Sequence, residues 1–88
     1  MIRDREREII IRCARKYKVS KVYLFGSAVD NSEYNDIDLA VEGIEPESFF
    51  KFYGELIRKL TKPVDLIDLS EKSLFNQIIA KRGVKILG

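Results

Sequence analysis

Apolar residues recur along this chain with two different spacings, and the change from one to the other predicts its secondary structure. Near the N-terminus they recur every three or four residues, which predicts an amphipathic helix over Arg3–Lys18. Short runs rich in β-branched and aromatic residues then predict four strands. These strands are expected over Lys21–Phe25, Ile37–Val41, Val64–Leu69 and Val84–Leu87.

Two further helices are predicted between the strands. Pro46 suits a first helical position, and the helix that begins there should end before Pro63, because the residue before proline resists helical conformation. Ser70 is expected to cap a last helix that closes at Gly83. With a loop over Ala28–Asn35 that holds at most one helical turn, the order is αββαβαβ. This order predicts an α/β (α+β) fold in which helices pack on a small mixed sheet.

Composition narrows the possible functions. The 88 residues include no His and a single Cys, which excludes His-ligated zinc, Ser-His-Asp catalysis and an internal disulfide. This length accommodates one domain, residues 1–88. The apolar runs are far shorter than a membrane span, the charged N-terminus does not resemble a signal peptide, and a lone thiol suits a reducing compartment. We therefore expect a cytoplasmic protein that does not bind membranes.

Charge is distributed unevenly. The net charge is +2, yet the stretch Val22–Phe50 contains seven acidic residues and no Lys or Arg. These carboxylates repel one another unless they face water or collect cations. We expect solvation for the three glutamates that follow the second strand, whereas the spacing of Asp36 and Asp38 indicates a cation site.

Asp36 and Asp38 flank Ile37 at the start of the second predicted strand. Because residues two apart in a strand point to the same face, the two carboxylates project together at roughly 7 Å and repel by about 2 kcal/mol. A divalent cation reverses the sign of this interaction, and oxygen ligands alone select Mg²⁺ or Mn²⁺. Asp65, between apolar residues of the third strand, would need either the same metal or a buried ion pair with Lys or Arg.

Gly26 and Ser27 end the first predicted strand. If the first two strands are antiparallel neighbours, this pair lies beside Asp36 and Asp38 at one edge of the sheet. Glycine lets a backbone approach a phosphate closely, and amide groups and the serine hydroxyl can donate hydrogen bonds to its oxygens. A carboxylate metal site beside a phosphate-binding turn is typical of phosphoryl or nucleotidyl transfer.

Three segments together resemble the minimal nucleotidyltransferases (MNT) of the DNA polymerase β superfamily. The segments are Leu24-Phe25-Gly26-Ser27, Asp36-Ile37-Asp38-Leu39 and Val64-Asp65-Leu66. The resemblance implies the palm-like nucleotidyltransferase fold and the role of an MNT-type antitoxin paired with a helical HEPN toxin. It also implies the site residues: Gly26 and Ser27 for the nucleotide, and Asp36, Asp38 and Asp65 as catalytic ligands of two Mg²⁺ ions, or of Mn²⁺.

The implied reaction is Mg²⁺-dependent transfer of AMP from ATP, or of another nucleoside monophosphate from its triphosphate, to a hydroxyl group. The expected acceptor is a tyrosine of the toxin, so the modification is AMPylation. Assembly into homo- or hetero-oligomers is compatible with this role. The sequence departs from the family pattern at Ala28, where an arginine is usual, and in its short loop before Asp36. Both changes weaken the expected binding of a triphosphate. Lys21 and Lys62 are the nearest basic residues in the sequence that could compensate its negative charge.

Two other functions stay open. The chain could be a non-catalytic antitoxin that neutralises a helical partner by contact. It could also bind nucleic acid through its basic first helix, but we do not favour this function because the helix carries charges of both signs. Phe50 and Phe52, which belong to the same aromatic group as Phe49 and Tyr53, are expected to point away from the core. A contiguous apolar patch exposed there would indicate a binding site for a partner. Cys13 is expected to be a core thiol.

Overall fold

A four-stranded mixed sheet organises the chain in a computed structural model that describes residues 1–88. The elements in chain order are α1 (Asp4–Lys16), β1 (Lys21–Phe25), α2 (Ser27–Asp30), β2 (Ile37–Glu42), α3 (Pro46–Lys59), β3 (Val64–Asp68), α4 (Leu74–Arg82) and β4 (Val84–Leu87). The strands lie in the order β3-β2-β1-β4, with β1 antiparallel to both of its neighbours and β2 parallel to β3. The predicted small mixed sheet with packed helices is confirmed, and the single turn α2 occupies the predicted loop.

Local signals set most helix ends. Pro46 is the first residue of α3, as predicted, and Gly83 follows the last residue of α4. The predicted cap at Ser70 is wrong: Ser73 caps α4, because its Oγ accepts a hydrogen bond from the Asn76 amide at 3.0 Å. The Ser70 amide instead donates to Asp68 Oδ1 at 2.9 Å in the preceding turn. None of the helices combines the length and the apolar character needed to cross a membrane.

The main core lies between one face of the sheet and the helices α1 and α3. Alternate strand residues such as Leu24, Leu39 and Leu66 point into it. The prediction for Phe52 is wrong, since this side chain is 0% exposed, whereas Phe50 is 75% exposed as expected. Cys13 lies in the core, as predicted.

The opposite face of the sheet is only partly covered. A smaller cluster forms where Ile79 of α4 packs over Tyr23 and Ala40, with Leu69 beside them. Asp38 and Asp65 lie on this same face, because they are directly paired across β2 and β3 and Asp38 is two residues from Ala40. The uncovered part of the face therefore presents carboxylates.

A buried carboxylate joins α1 to α3. Glu55 is 4% exposed and accepts hydrogen bonds from Lys16 Nζ at 2.7 Å, Tyr17 OH at 2.9 Å, Lys59 Nζ at 3.0 Å and Cys13 Sγ at 3.3 Å. The hydrogen bonds from Lys16, Lys59 and Tyr17 hold the pKa of Glu55 far below its ordinary value. Because four donors surround it, the charge is compensated although it is buried.

Candidate functional site

The C-terminal end of β1 and the N-terminal ends of β2 and β3 meet at one edge of the sheet. In the register, Phe25 is paired with Asp38, and Asp38 is paired with Asp65. Directly paired residues point to the same face, so the two carboxylates are neighbours on the open side. The antiparallel pairing of β1 with β2 therefore places the Gly26 turn beside Asp38, as the sequence predicted.

Asp38 is half-buried between two exposed carboxylates, Asp36 and Asp65. Its pKa is raised, first by burial, then by the negative charge of Asp65 beside it, and finally by that of Asp36. None of the three carboxylates takes part in the five ion pairs of the molecule. The alternative of a buried ion pair for Asp65 is therefore wrong, since that residue is exposed and unpaired.

The donor set matches a hard divalent cation in its chemistry. All three side chains are carboxylates, with neither imidazole nor thiolate beside them, and their mutual repulsion is uncompensated by any basic residue. Their side chains do not form a cluster of three arranged to hold an ion, here or elsewhere in the molecule. Asp65 is paired with Asp38 across β2 and β3, and Asp36 lies two residues before Asp38, so the residues fit such an ion by type and by their place at this edge of the sheet.

Gly26 brings the backbone against the Asp38 carboxylate. It has φ +75° and ψ −157°, a conformation that side chains other than glycine rarely adopt. A Cβ at this position would collide with Asp38 Oδ2. Gly26 and Ser27 are both exposed at this turn, so their polar groups are open to a ligand.

The basic residues expected near the site are engaged elsewhere. Lys21 Nζ lies 3.3 Å from Glu42 Oε2 at the opposite end of β1. Lys62 Nζ lies 3.4 Å from Glu6 Oε2 and 3.8 Å from the centre of the Tyr34 ring. Both lysines are therefore paired with carboxylates outside the candidate edge.

A buried tyrosine fixes the loop that carries Asp36. Tyr34 OH donates a short hydrogen bond to Glu6 and accepts one from the Arg3 amide at 3.1 Å. Burial would raise the pKa of Glu6, but the bonds from Tyr34 and the Arg3 amide, with the charge of Lys62, lower it overall. In the sequence, the only signal of this anchor is a lone aromatic residue within a polar loop, which did not predict it.

The chain resembles known proteins over nearly its whole length. The family model described as Polymerase beta, Nucleotidyltransferase matches residues 8–88. No curated protein sequence matches the chain.

Several solved structures share the fold. A toxin–antitoxin structure, MntA–HepT, has 26% identity and a TM-score of 0.74, with 98% of this chain and 73% of that chain covered. A toxin–antitoxin structure with AMP-PNP has 28% identity and a TM-score of 0.77, with 93% and 73% covered. The tri-AMPylated HEPN toxin of Shewanella oneidensis in complex with its MNT antitoxin has 27% identity and a TM-score of 0.75, with 99% and 73% covered.

The family match spans the three segments that carry the candidate site, and the structural matches include the MNT partner of a HEPN toxin. The structural match to MntA–HepT covers 98% of this chain. The chain therefore belongs to the polymerase beta nucleotidyltransferase family and is of the MNT antitoxin type.

Proposed function

We propose that this protein transfers AMP from ATP to a tyrosine hydroxyl of a cognate HEPN toxin in a Mg²⁺-dependent reaction. The observation that carries the proposal is the meeting of Gly26, Asp38 and Asp65 at one edge of the sheet. The related complexes support it, since one contains AMP-PNP and another an AMPylated toxin. The reaction needs ATP, and the free thiol of Cys13 suits a reducing compartment, so the proposed setting is the cytoplasm.

Each residue has a distinct role in this proposal. Gly26 and Ser27 would contact the phosphates, and Asp36, Asp38 and Asp65 would hold Mg²⁺ or Mn²⁺. When bound, the metal supplies positive charge for the phosphate oxygens. The acceptor oxygen forms a bond to the α-phosphorus while the bond to the bridging oxygen breaks and pyrophosphate leaves. The exposed Asp65 carboxylate would accept the hydroxyl proton.

We predict that Asp38→Asn impairs the transfer of AMP. The substitution keeps the shape of the side chain and removes the charge nearest to Gly26, so we expect transfer to fall by about 100-fold or more. The measurement is incorporation of label from α-labelled ATP into purified HEPN toxin, with Mg²⁺ and with EDTA. The matched control is Asp68→Asn, because Asp68 lies at the far end of β3 and bonds to the Ser70 amide. Full activity of the Asp38 variant would contradict the proposal.

Neutralisation by contact alone is the second candidate. Ala28 favours it, because this residue is 0% exposed within the main core and offers no group to a nucleotide. Under this alternative the wild-type protein incorporates no label, yet the Asp38→Asn variant inhibits the toxin as well as the wild type does. Loss of both labelling and inhibition in the variant supports the enzyme.

A further inference from the structure

A groove of about 280 Å³ separates α2 from α4 and begins at the Gly26 turn. One wall includes Gly26, Val29 and Asp30, and the other includes Phe75, Ile78 and Arg82. Because Gly26 also lies against the Asp38 carboxylate, the groove is continuous with the candidate site. A ligand held at Gly26 would therefore extend towards α4.

A nucleoside triphosphate at this edge needs a positive charge from the protein. The position after Ser27 cannot supply it, since Ala28 is buried in the core. Lys21 and Lys62 are held by Glu42 and Glu6. The charge has to come from a residue distant in sequence.

Arg82 meets this requirement through the packing of α4. It is exposed, it lines the groove, and it belongs to none of the five ion pairs. The next residue, Gly83, lies against the end of β1: a Cβ there would be 3.3 Å from the Leu24 carbonyl oxygen. This contact holds the last turn of α4 at the end of β1 where Gly26 follows.

We propose that Arg82 binds the triphosphate of the nucleotide and supplies the charge that Ala28 does not. The inference rests on the proposed function and adds a binding residue from α4 to it. A guanidinium group suits this role because its fork of donors can contact two phosphate oxygens at once. Asp30 on the facing wall opposes the same anion, so its charge should weaken binding.

Calorimetric titration with Mg²⁺ and AMP-PNP tests the inference. We expect Arg82→Gln to weaken binding by about tenfold or more, Arg82→Lys to weaken it less, and Asp30→Asn to strengthen it. The control is Lys81→Gln, which removes the same charge from an exposed position of α4 that does not line the groove. Adenosine, which has no phosphate, should bind all variants equally, and its binding reports that they are folded.

The outcomes separate this inference from the proposed function. If Arg82→Gln binds AMP-PNP as tightly as the wild type, while the wild type labels the toxin, Arg82 has no such role and the proposed function stands. Equal weakening by Arg82→Gln and Lys81→Gln would show only the loss of net charge and would also overturn the inference. If the wild type binds no AMP-PNP, both proposals are wrong.

Discussion

Gly26 is glycine for two independent physical reasons. Its φ of +75° with ψ of −157° lies in a region that is essentially restricted to glycine. In addition, its Cα faces the Asp38 carboxylate with no room for a Cβ. The first reason concerns the backbone of the turn and the second concerns the site, so substitution should affect both stability and nucleotide binding.

We predict that Gly26→Ala lowers the free energy of unfolding by about 1–3 kcal/mol. In an Asp38→Ala background the loss should be smaller but not absent, because the collision is removed and the backbone strain stays. The control is Gly54→Ala within α3, where the nearest atom to an added Cβ is the flexible Arg58 side chain at 3.5 Å. That change should stabilise the protein by roughly 0.5–1 kcal/mol, since alanine favours helix over glycine. Denaturant unfolding compares five proteins: the wild type, Gly26→Ala, Asp38→Ala, the double variant and Gly54→Ala. A Gly26→Ala variant as stable as the wild type would contradict the prediction.

The sequence identified the turn and the carboxylates but missed the residues that support them. Asp38 and Asp65 stood out because aspartate within a strand is unfavourable unless something requires it. Gly26 stood out because a glycine turn beside these carboxylates lets the backbone approach a phosphate. Arg82 could not be found in this way, because an arginine near the end of a helix is ordinary. Only the packing of α4 against β1 gives it a position.

At the scale of the elements, a buried charged residue in α3 makes the apolar pattern an incomplete guide to which face of the helix is buried. The apolar spacing predicts a core face of Phe49, Tyr53, Leu56, Ile57 and Leu60. Leu56 and Leu60 are buried as predicted and Phe49 and Tyr53 pack against the core, whereas Ile57 is exposed and the buried face also contains Phe52 and Glu55. A glutamate at the centre of the buried face made that face look polar. The buried face of α3 therefore extends from the predicted one towards Phe52 and Glu55 and away from Ile57.

We predict opposite outcomes for two phenylalanines of α3 that are two residues apart. Phe52→Ala should lower the free energy of unfolding by about 3–5 kcal/mol, because it opens a cavity beside the Tyr17 ring, whose centre is 6.0 Å from that of Phe52. Phe50→Ala should change it by no more than about 0.5 kcal/mol, since Phe50 is exposed. Chemical denaturation compares the two variants. A loss for Phe52→Ala as small as that for Phe50→Ala would contradict the structure and match the sequence prediction, which turns both side chains away from the core.

At the scale of the whole molecule, polar side chains join the layers as well as apolar ones. Glu55 links α1 to α3 under the main core, and Glu6 links α1 to the loop before β2 through Tyr34. Removing a buried charge that four donors surround leaves those donors without a partner, which costs more than the loss of one surface ion pair. The helical layer therefore depends on ionisation of Glu55.

We predict that Glu55→Gln is less stable than the wild type at neutral pH and that the difference shrinks in acid. The folded-state pKa of Glu55 lies far below its ordinary 4.5, so its contribution is complete above 4.5 and is lost as the pH falls below that value. The measurement is the difference in Tm between the two proteins from pH 7 to pH 3. Glu33→Gln is the control, because Glu33 is exposed in the loop and its side chain makes no ion pair. A difference in Tm that is constant with pH would contradict the role of Glu55.

The sequence by itself determined the order of the elements and the residues of the candidate edge. It could do so because these features have local signals that can be recognised from a few neighbouring residues. The signals are the strand periodicity, the proline at the start of α3 and the aspartates of β2 and β3. It did not determine the full buried face of α3, the cap of α4, the buried glutamates or the position of Arg82. These depend on which surfaces meet, since packing across the sheet, and not the neighbouring residues in the chain, decides whether a charge is buried, paired or open to a ligand.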